Sequence, residues 1–245
     1  MAKIAGVTAA VLAGGMGKRL RPITYFLPKP MVNVGGRPFL DYILEMLSAQ
    51  GISKCVLLTG YKHGVVERHC GNGSRYKMRI AYSFEKTPLG TGGALLNAKE
   101  KLAGTVLVMN GDSWVGFDIV KLLKFHRKRH ALVSVLAMKG GLAARGAIVA
   151  NNRGRVLEFG EKKRTGEGTF NTGVYLVEQK AIALLAQKQA QGALGAAFSL
   201  EREGFPLFIA QKKLYACVSE GDFVDIGTFE SLATAHSVIR NSRRK

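Results

Sequence analysis

The run Ala13-Gly14-Gly15-Met16-Gly17-Lys18-Arg19-Leu20 places three glycines directly ahead of two cations. Glycines carry no Cβ, so a loop rich in them lets backbone N–H groups come close to a phosphate. Farther along stands Pro28-Lys29-Pro30. Each proline fixes its own φ, which stiffens the backbone and aims the lysine between them. Two aimed cations, Arg19 and Lys29, beside a glycine loop suit a triphosphate. The spacing is not that of a P-loop, which needs GxxxxGK[ST]. It also fails as a dinucleotide fingerprint, because the glycine intervals are wrong and no acidic residue closes a second strand.

Two carboxylates carry the other half of the chemistry. Asp112 comes just after the apolar run Thr105 to Met109, and Asp225 is read as following a second strand. Carboxylates delivered from separate strands can hold Mg²⁺ against a triphosphate, with water and phosphate oxygens as the remaining ligands. The competing use of an Asp in such a place is a helix cap.

These residues need elements to position them, and the first half of the chain supplies a regular alternation. Strands are predicted over Gly6 to Ala13, Lys54 to Thr59, Met78 to Phe84 and Thr105 to Met109. Between and after them, helices are predicted over Phe39 to Gln50, Gly64 to Cys70, Gly92 to Leu102 and Asp118 to Arg129. Such β-α alternation makes a doubly wound, mostly parallel sheet covered on both faces, with ligands bound beyond the carboxyl ends of its strands. The second half reads as shorter strands (Val133 to Met138, Gly146 to Ala150, Val156 to Phe159, Thr169 to Val177), one around Cys217, and a closing helix Phe229 to Ile239. No linker or repeat interrupts the chain. One domain is expected over 1–245, with a nucleotide-binding half of about 1–130 and a sugar-phosphate-binding half of about 131–245.

Composition narrows the partners. The formal net charge is +19, from 36 Lys and Arg against 17 Asp and Glu, which suits a polyanionic partner of any kind. The dense basic runs, Lys124 to His130 and Arg243-Arg244-Lys245, read as a solvated helix face and a tail. They hold a single aromatic, Phe125, and no helix-turn-helix, RRM or zinc pattern occurs, so nucleic acid is not expected as a partner. Three scattered cysteines without CxxC spacing suit a reducing, cytoplasmic setting. Lys3 and the apolar run Ala5 to Ala13 superficially match a signal peptide. That run flows straight into the glycine loop, so a buried strand is expected, and no membrane insertion.

The motifs also resemble a family. LAGGMGKRL, LPKPMVNVGGRPFL, PLGTGGAL (Pro88 to Leu95), NGD (Asn110 to Asp112), EK (Glu161-Lys162), NTGVYL (Asn171 to Leu176) and VDIGT (Val224 to Thr228) occur together, in order, over nearly the whole chain. The chain thereby resembles the sugar-1-phosphate nucleotidylyltransferases. The nearest pattern is the type acting on D-glycero-D-manno-heptose 1-phosphate with GTP. GNGSRYKMRI (Gly71 to Ile80) is similar instead to short uridylyltransferases such as the N-acetylmuramate 1-phosphate enzyme, and Lys18 stands where the family usually has Thr or Ser.

The resemblance implies a Rossmann-like, doubly wound mixed, mostly parallel sheet of the nucleotide-diphospho-sugar transferase type. It implies that a sugar phosphate oxygen attacks the α-phosphorus of an NTP, with GTP the donor expected, and that pyrophosphate leaves. A phosphate monoester has a second pKa of about 6, so it is largely dianionic at neutral pH and needs no general base. Catalysis is then positioning and charge neutralisation. By resemblance, Arg19, Lys29 and Asp112 are catalytic, and Asp112 with Asp225 holds Mg²⁺. Leu12, Ala13, Gly14, Gly15, Gly17, Lys18, Gly90 and Thr91 contact the nucleotide. Glu85 falls beside the base, where a carboxylate could accept from both guanine N1–H and the exocyclic amine, whereas uracil offers one donor. Lys162 holds the sugar phosphate, Glu161 its hydroxyls, and Gly146 and Asn171 complete that pocket.

The competing readings are a uridylyl- or thymidylyltransferase acting on N-acetylmuramate, glucose or a related sugar 1-phosphate, a regulatory domain without catalysis, and a basic nucleic-acid-binding protein. The joint presence of Arg19, Lys29, Asp112, Lys162 and Asp225 disfavours the second. A homo-oligomer is left open.

Overall fold

In the computed structural model, residues 4–142, 146–161 and 166–242 are described, with the backbone alone at Glu161. Lys3, Lys162 and Arg243-Arg244-Lys245 lie outside the described residues.

β1 (Val7–Ala13) is buried along almost its whole length, as a strand covered on both faces must be. A long loop follows it and ends in a tight hairpin of β2 (Asn33–Val34) and β3 (Arg37–Pro38). Then come α1 (Phe39–Ala49), β4 (Lys54–Thr59), α2 (His63–Cys70), β5 (Arg79–Phe84), α3 (Gly90–Asn97) and β6 (Thr105–Asn110). β6, β1, β4 and β5 lie side by side in that order, every pair parallel. From β1 the chain winds to one side through β4 and β5, then crosses back to the other side as β6. Strand order therefore reverses between β1 and β6, the place where an open α/β sheet binds its ligand.

The remaining strands extend the sheet past β6. After β7 (Ser113–Val115) comes α4 (Ile119–Lys128), capped by the Asp118 carboxylate, which accepts from Val120 N and Lys121 N. β8 (Val133–Gly141), β9 (Gly146–Ala150), β10 (Val156–Glu161) and β11 (Glu167–Val177) follow. β11 runs antiparallel to β6 and is flanked by β8 and β9, so the doubly wound, mixed sheet of the sequence reading is present. α5 (Gln179–Ala190), a π turn over Leu200–Gly204, α6 (Phe205–Ala210) and β12 (Leu214–Val218) complete this half, with β12 parallel to β8. The chain closes through β13 (Phe223–Asp225) and α7 (Phe229–Ser242).

Alternate residues of β1 enter separate cores. Val7, Ala9 and Val11 pack with α1 and α7, while Ala10 packs with α3, α5 and α6. The sequence pattern missed α5 and α6. The apolar stripe of α5 is only Ala181, Ile182 and Leu185, and α6 is a short helix started by the π turn. Asp225 needs a correction. It does not follow a strand of the main sheet, but ends β13, which among the described residues pairs with β7 in a separate two-stranded ribbon.

Candidate active site

A cleft of about 360 Å³ opens at the β1/β6 reversal, beyond the carboxyl ends of the parallel strands. Its walls come from five segments: Leu12 near the end of β1 with Gly14 and Gly15 after it, Lys29 and Pro30, Glu85 after β5, Gly90 and Thr91 at the start of α3, and Asn110 at the end of β6 with Asp112 after it. A larger hollow of about 560 Å³ between the end of α1 and Tyr76 contains none of the candidate catalytic, nucleotide- or sugar-binding residues.

At one end of the cleft Lys29 Nζ donates to Asp112 Oδ2. Lys29 sits in a single 3₁₀ turn whose N-terminal neighbour, Pro28, is extended, and it is only 8% exposed. Asp112 is half-buried and its other oxygen accepts from Ser113 Oγ at 3.2 Å. The β7–β13 ribbon sets Asp225 opposite Ser113, and Ile226 N donates to the Asp112 carbonyl at 2.9 Å. Neither aspartate caps a helix. Asp112 leads into β7, and Asp225 Oδ1 accepts from Gly227 N at 2.8 Å in a local turn. Two hard carboxylates on bonded backbones, one of them paired with Lys29 in the cleft wall, fit a small divalent cation whose remaining ligands are water and phosphate oxygens. Among the described residues no group of three or more His, Cys, Asp or Glu could form an all-protein cage.

Arg19 lies outside the cleft wall and is exposed. A Cβ built on Gly227 would be 3.2 Å from Arg19 Nη2 and 2.6 Å from Asp225 Oδ1. Arg19 thus stands beside Asp225 across Gly227. Lys18 is exposed beside it, in the same 3₁₀ turn. Ala13 is buried at the end of β1, and Gly17, in the left-handed region at φ 61°, accepts Thr24 Oγ1 at 2.9 Å.

The opposite end belongs to Glu85. Its backbone N–H donates to Thr59 O at 2.8 Å, and its Oε2 accepts from Leu89 N at 3.2 Å. Burial pushes the carboxyl above the ordinary glutamate range, only partly offset by that hydrogen bond. A Cβ on Gly14 would sit 2.5 Å from Glu85 Oε1, and one on Gly60 2.8 Å from it. Gly14 is therefore glycine to admit the Glu85 carboxylate, in addition to any approach of the loop to phosphate. Gly15 has nothing within 4 Å of its Cβ position.

Gly90, at φ +71°, lets α3 start against residues 196–198. A Cβ there would be 2.5 Å from Phe198 O, which also accepts from Gly92 N at 3.0 Å. These glycines serve packing as well as the cleft.

The sugar-side residues come together on three adjacent strands. Glu161 pairs with Gly146 across β10 and β9, and a Cβ on Gly146 would lie 3.5 Å from Asn171 Cβ. The Lys162 assignment lies outside the described residues. Asn171 turns inward: its Nδ2 donates to Tyr175 Oη at 2.8 Å and its Oδ1 accepts from Gly173 N at 2.9 Å.

Tyr175 leads to a residue that the sequence reading missed. Its hydroxyl donates to Glu201 Oε1 at 2.9 Å. Glu201 Oε2 accepts from Ser199 Oγ at 2.8 Å and from Thr91 Oγ1 at 2.5 Å. Glu201 is buried in the π turn and is met by hydroxyls rather than by a cation. The chain Asn171–Tyr175–Glu201–Thr91 thus joins the sugar-side strands to the cleft wall. Nothing in local spacing marks Glu201, because Thr91 is 110 residues away and Tyr175 is 26.

Comparison with known proteins places this geometry. The family described as "Nucleotidyl transferase" matches residues 8–242. A mannose-1-phosphate guanylyltransferase of Mycobacterium tuberculosis is 39% identical over 229 residues, covering 91% of this chain and 62% of its own. The chain therefore spans less than two thirds of that relative's length. A D-glycero-alpha-D-manno-heptose 1-phosphate guanylyltransferase of Aneurinibacillus thermoaerophilus is 38% identical over 221 residues, covering 89% of this chain and 92% of its own. The crystal structure of HddC from Yersinia pseudotuberculosis complexed with GMP-PN superposes with a TM-score of 0.79 at 28% identity, over 94% of this chain and 98% of that one.

Proposed function

The chain belongs to the nucleotidyl transferase family, and from that premise we propose that it transfers GMP from GTP to a heptose- or mannose-type sugar 1-phosphate, releasing pyrophosphate. The observation that carries the base assignment is Glu85, a half-buried carboxylate with a raised pKa at the far end of the cleft from Lys29 and Asp112. Buried acceptors need donors, and guanine offers two adjacent ones on its Watson–Crick edge. The guanylyltransferase relatives support the same choice.

The triphosphate then runs from Glu85 toward Lys29 and Arg19, with the glycine loop after β1 along its side. Asp112 and Asp225 would hold Mg²⁺, which would supply charge neutralisation on the phosphates. Lys29, paired with Asp112, presents its ammonium to the departing pyrophosphate. The sugar phosphate enters from the side of Gly146, Glu161 and Asn171, with Lys162 as its cation. By this reading residues of about 1–130 bind nucleotide and those of about 131–245 bind the sugar phosphate. The nucleophile arrives as a dianion, so no residue is required to remove its proton.

A pyrophosphate-release screen of the four NTPs against a panel of sugar 1-phosphates tests this. GTP with a manno-configured sugar 1-phosphate should give the highest kcat/KM. A preference for UTP or dTTP with glucose or N-acetylmuramate 1-phosphate would overturn it.

A further inference from the structure

The basic run on α4 does not face solvent throughout. Arg129, just past the end of the helix, folds over the Phe125 ring, with its guanidinium carbon 5.5 Å from the ring centroid. Its Nε is buried and has no hydrogen-bond partner among the described residues. A buried donor left without an acceptor is rare in folded chains and marks a place for an acceptor to arrive.

Arg129 lines a cavity of about 470 Å³ that shares no residue with the nucleotide cleft. Across it lies the turn between β9 and β10, carrying Asn151, Asn152 and Arg153. That turn is rigidly mounted. Asn151 Oδ1 accepts from Arg153 N and Arg155 N, both at 3.0 Å. Gly154 O accepts from Ala216 N at 2.7 Å, which fastens the turn to β12. Gly154 takes φ +78°, and a Cβ there would be 3.0 Å from Phe125 Cζ, so the turn closes directly on the ring beneath Arg129. Among the described residues no carboxylate lines the cavity, and neither Arg129 nor Arg153 forms an ion pair.

We propose that this cavity is a second anion site, in which Arg129 and Arg153 grip the phosphate group of a small organic phosphate. Guanidinium forks match phosphate oxygens in pairs, and the orphaned Nε–H supplies one tooth of such a fork. The volume suits a compact ligand, and asparagine amides stand ready for its neutral part. Lys124 and Lys128, exposed on the same helix, raise the local concentration of anions without contacting the bound group.

The side-chain Nε–H signals of the full-length protein, labelled with ¹⁵N-arginine, read the site directly, the Arg129 signal being assigned by its loss in R129K. Inorganic phosphate and glucose 1-phosphate are titrated separately at constant ionic strength held with NaCl. The Arg129 signal should move saturably with at least one of them, and tighter binding of the ester would identify an organic phosphate as the source. R153A should weaken that binding by at least about tenfold, as the loss of one charge-assisted contact commonly does. Arg153 is exposed, so its removal should leave the backbone amide spectrum intact. R153Q provides a second variant of similar size, with the same expectation. A signal that ignores both phosphates, or binding equal in wild type, R153A and R153Q, would overturn the site. So would a signal that moves only with a single-stranded oligonucleotide, which would make this face a nucleic-acid surface.

Discussion

Ile226 donates its backbone N–H to the carbonyl of Asp112 at 2.9 Å. That bond ties the loop after β6 to the end of β13, so the two aspartates sit on backbones that move together. Lys29 closes the arrangement by pairing with Asp112 from a third loop. A carboxylate pair fixed by main-chain bonding can meet a cation with little reorganisation, the general advantage of a preorganised charged site.

The first expected outcome is therefore strict dependence on a divalent metal. Pyrophosphate release should stop in excess EDTA and return with added Mg²⁺. Asp112→Ala should lower kcat by about 10²- to 10³-fold, the loss typical of one aimed electrostatic contact, and should also lower the melting temperature, because it leaves the buried Lys29 ammonium without its partner. Turnover that persists in EDTA would remove the metal role from Asp112 and Asp225.

The cleft was legible in the sequence where the chemistry is local. Gly14, Gly15, Lys29 and Asp112 announce themselves through glycine spacing, flanking prolines and a preceding apolar strand. Asp225 was identified but misplaced, because three strand-like residues look alike in a main sheet or in a ribbon, and only pairing with β7 decides. Glu201 was invisible for a different reason. Its partners come from α3, β11 and the π turn, and a hydroxyl-bound carboxylate has no sequence period. The purpose of Gly14 was half legible: the pattern says glycine, but only the fold brings Glu85 against it.

Tyr175→Phe should test the buried chain through Glu201. The missing hydroxyl leaves both Glu201 Oε1 and Asn171 Nδ2 short of a partner. A buried polar group left unsatisfied costs about 1–3 kcal/mol. Denaturant unfolding should show a loss of that size. Asn171→Ala in the Tyr175→Phe background should add less than it does alone, since the two share the same contact.

His126 gives a pH dependence. It is buried, contacts Ser134 Oγ at 2.8 Å and Glu178 Oε1 at 2.9 Å, and burial pulls its pKa below the ordinary histidine value despite Glu178. The unfolded chain then takes up a proton before the folded one does. Its stabilising contribution is complete above the unfolded histidine pKa, about 6.5, and drains away as pH falls toward the lower folded value. Melting should therefore fall between pH 7.5 and 5.5 in the wild type, and by less in His126→Gln. Equal slopes in both proteins would place the acid sensitivity elsewhere.

Gly14→Ala separates the two uses of that glycine. A methyl 2.5 Å from Glu85 Oε1 forces the carboxylate aside. KM for GTP should rise by about tenfold or more, roughly 1.4 kcal/mol, with kcat reduced much less. Gly15→Ala has open space at its Cβ and should leave Glu85 in place. If the two variants raise KM equally, loop approach to phosphate rather than room for Glu85 explains Gly14.

The base itself is tested through Glu85→Gln. If both carboxylate oxygens accept from guanine, the glutamine amide sets a donor against guanine's donors and leaves at least one buried group unpaired, at about 1–3 kcal/mol. UTP should suffer much less, because a glutamine can meet both the N3–H and a neighbouring carbonyl of uracil. The ratio of kcat/KM for GTP over UTP should therefore fall by about 5- to 150-fold in the variant. A pH signature accompanies it. Burial raises the Glu85 pKa, so the ionised form that accepts from guanine is lost as pH falls through a value above the ordinary glutamate range. KM for GTP should climb on that acid side in the wild type and stay flat in Glu85→Gln. The same raised pKa makes the folded chain lose stability as pH rises past it, a trend opposite to that of His126 and removed by the same substitution. A wild type that prefers UTP, or a variant whose ratio is unchanged, would take Glu85 out of base recognition and leave a uridylyltransferase as the better reading.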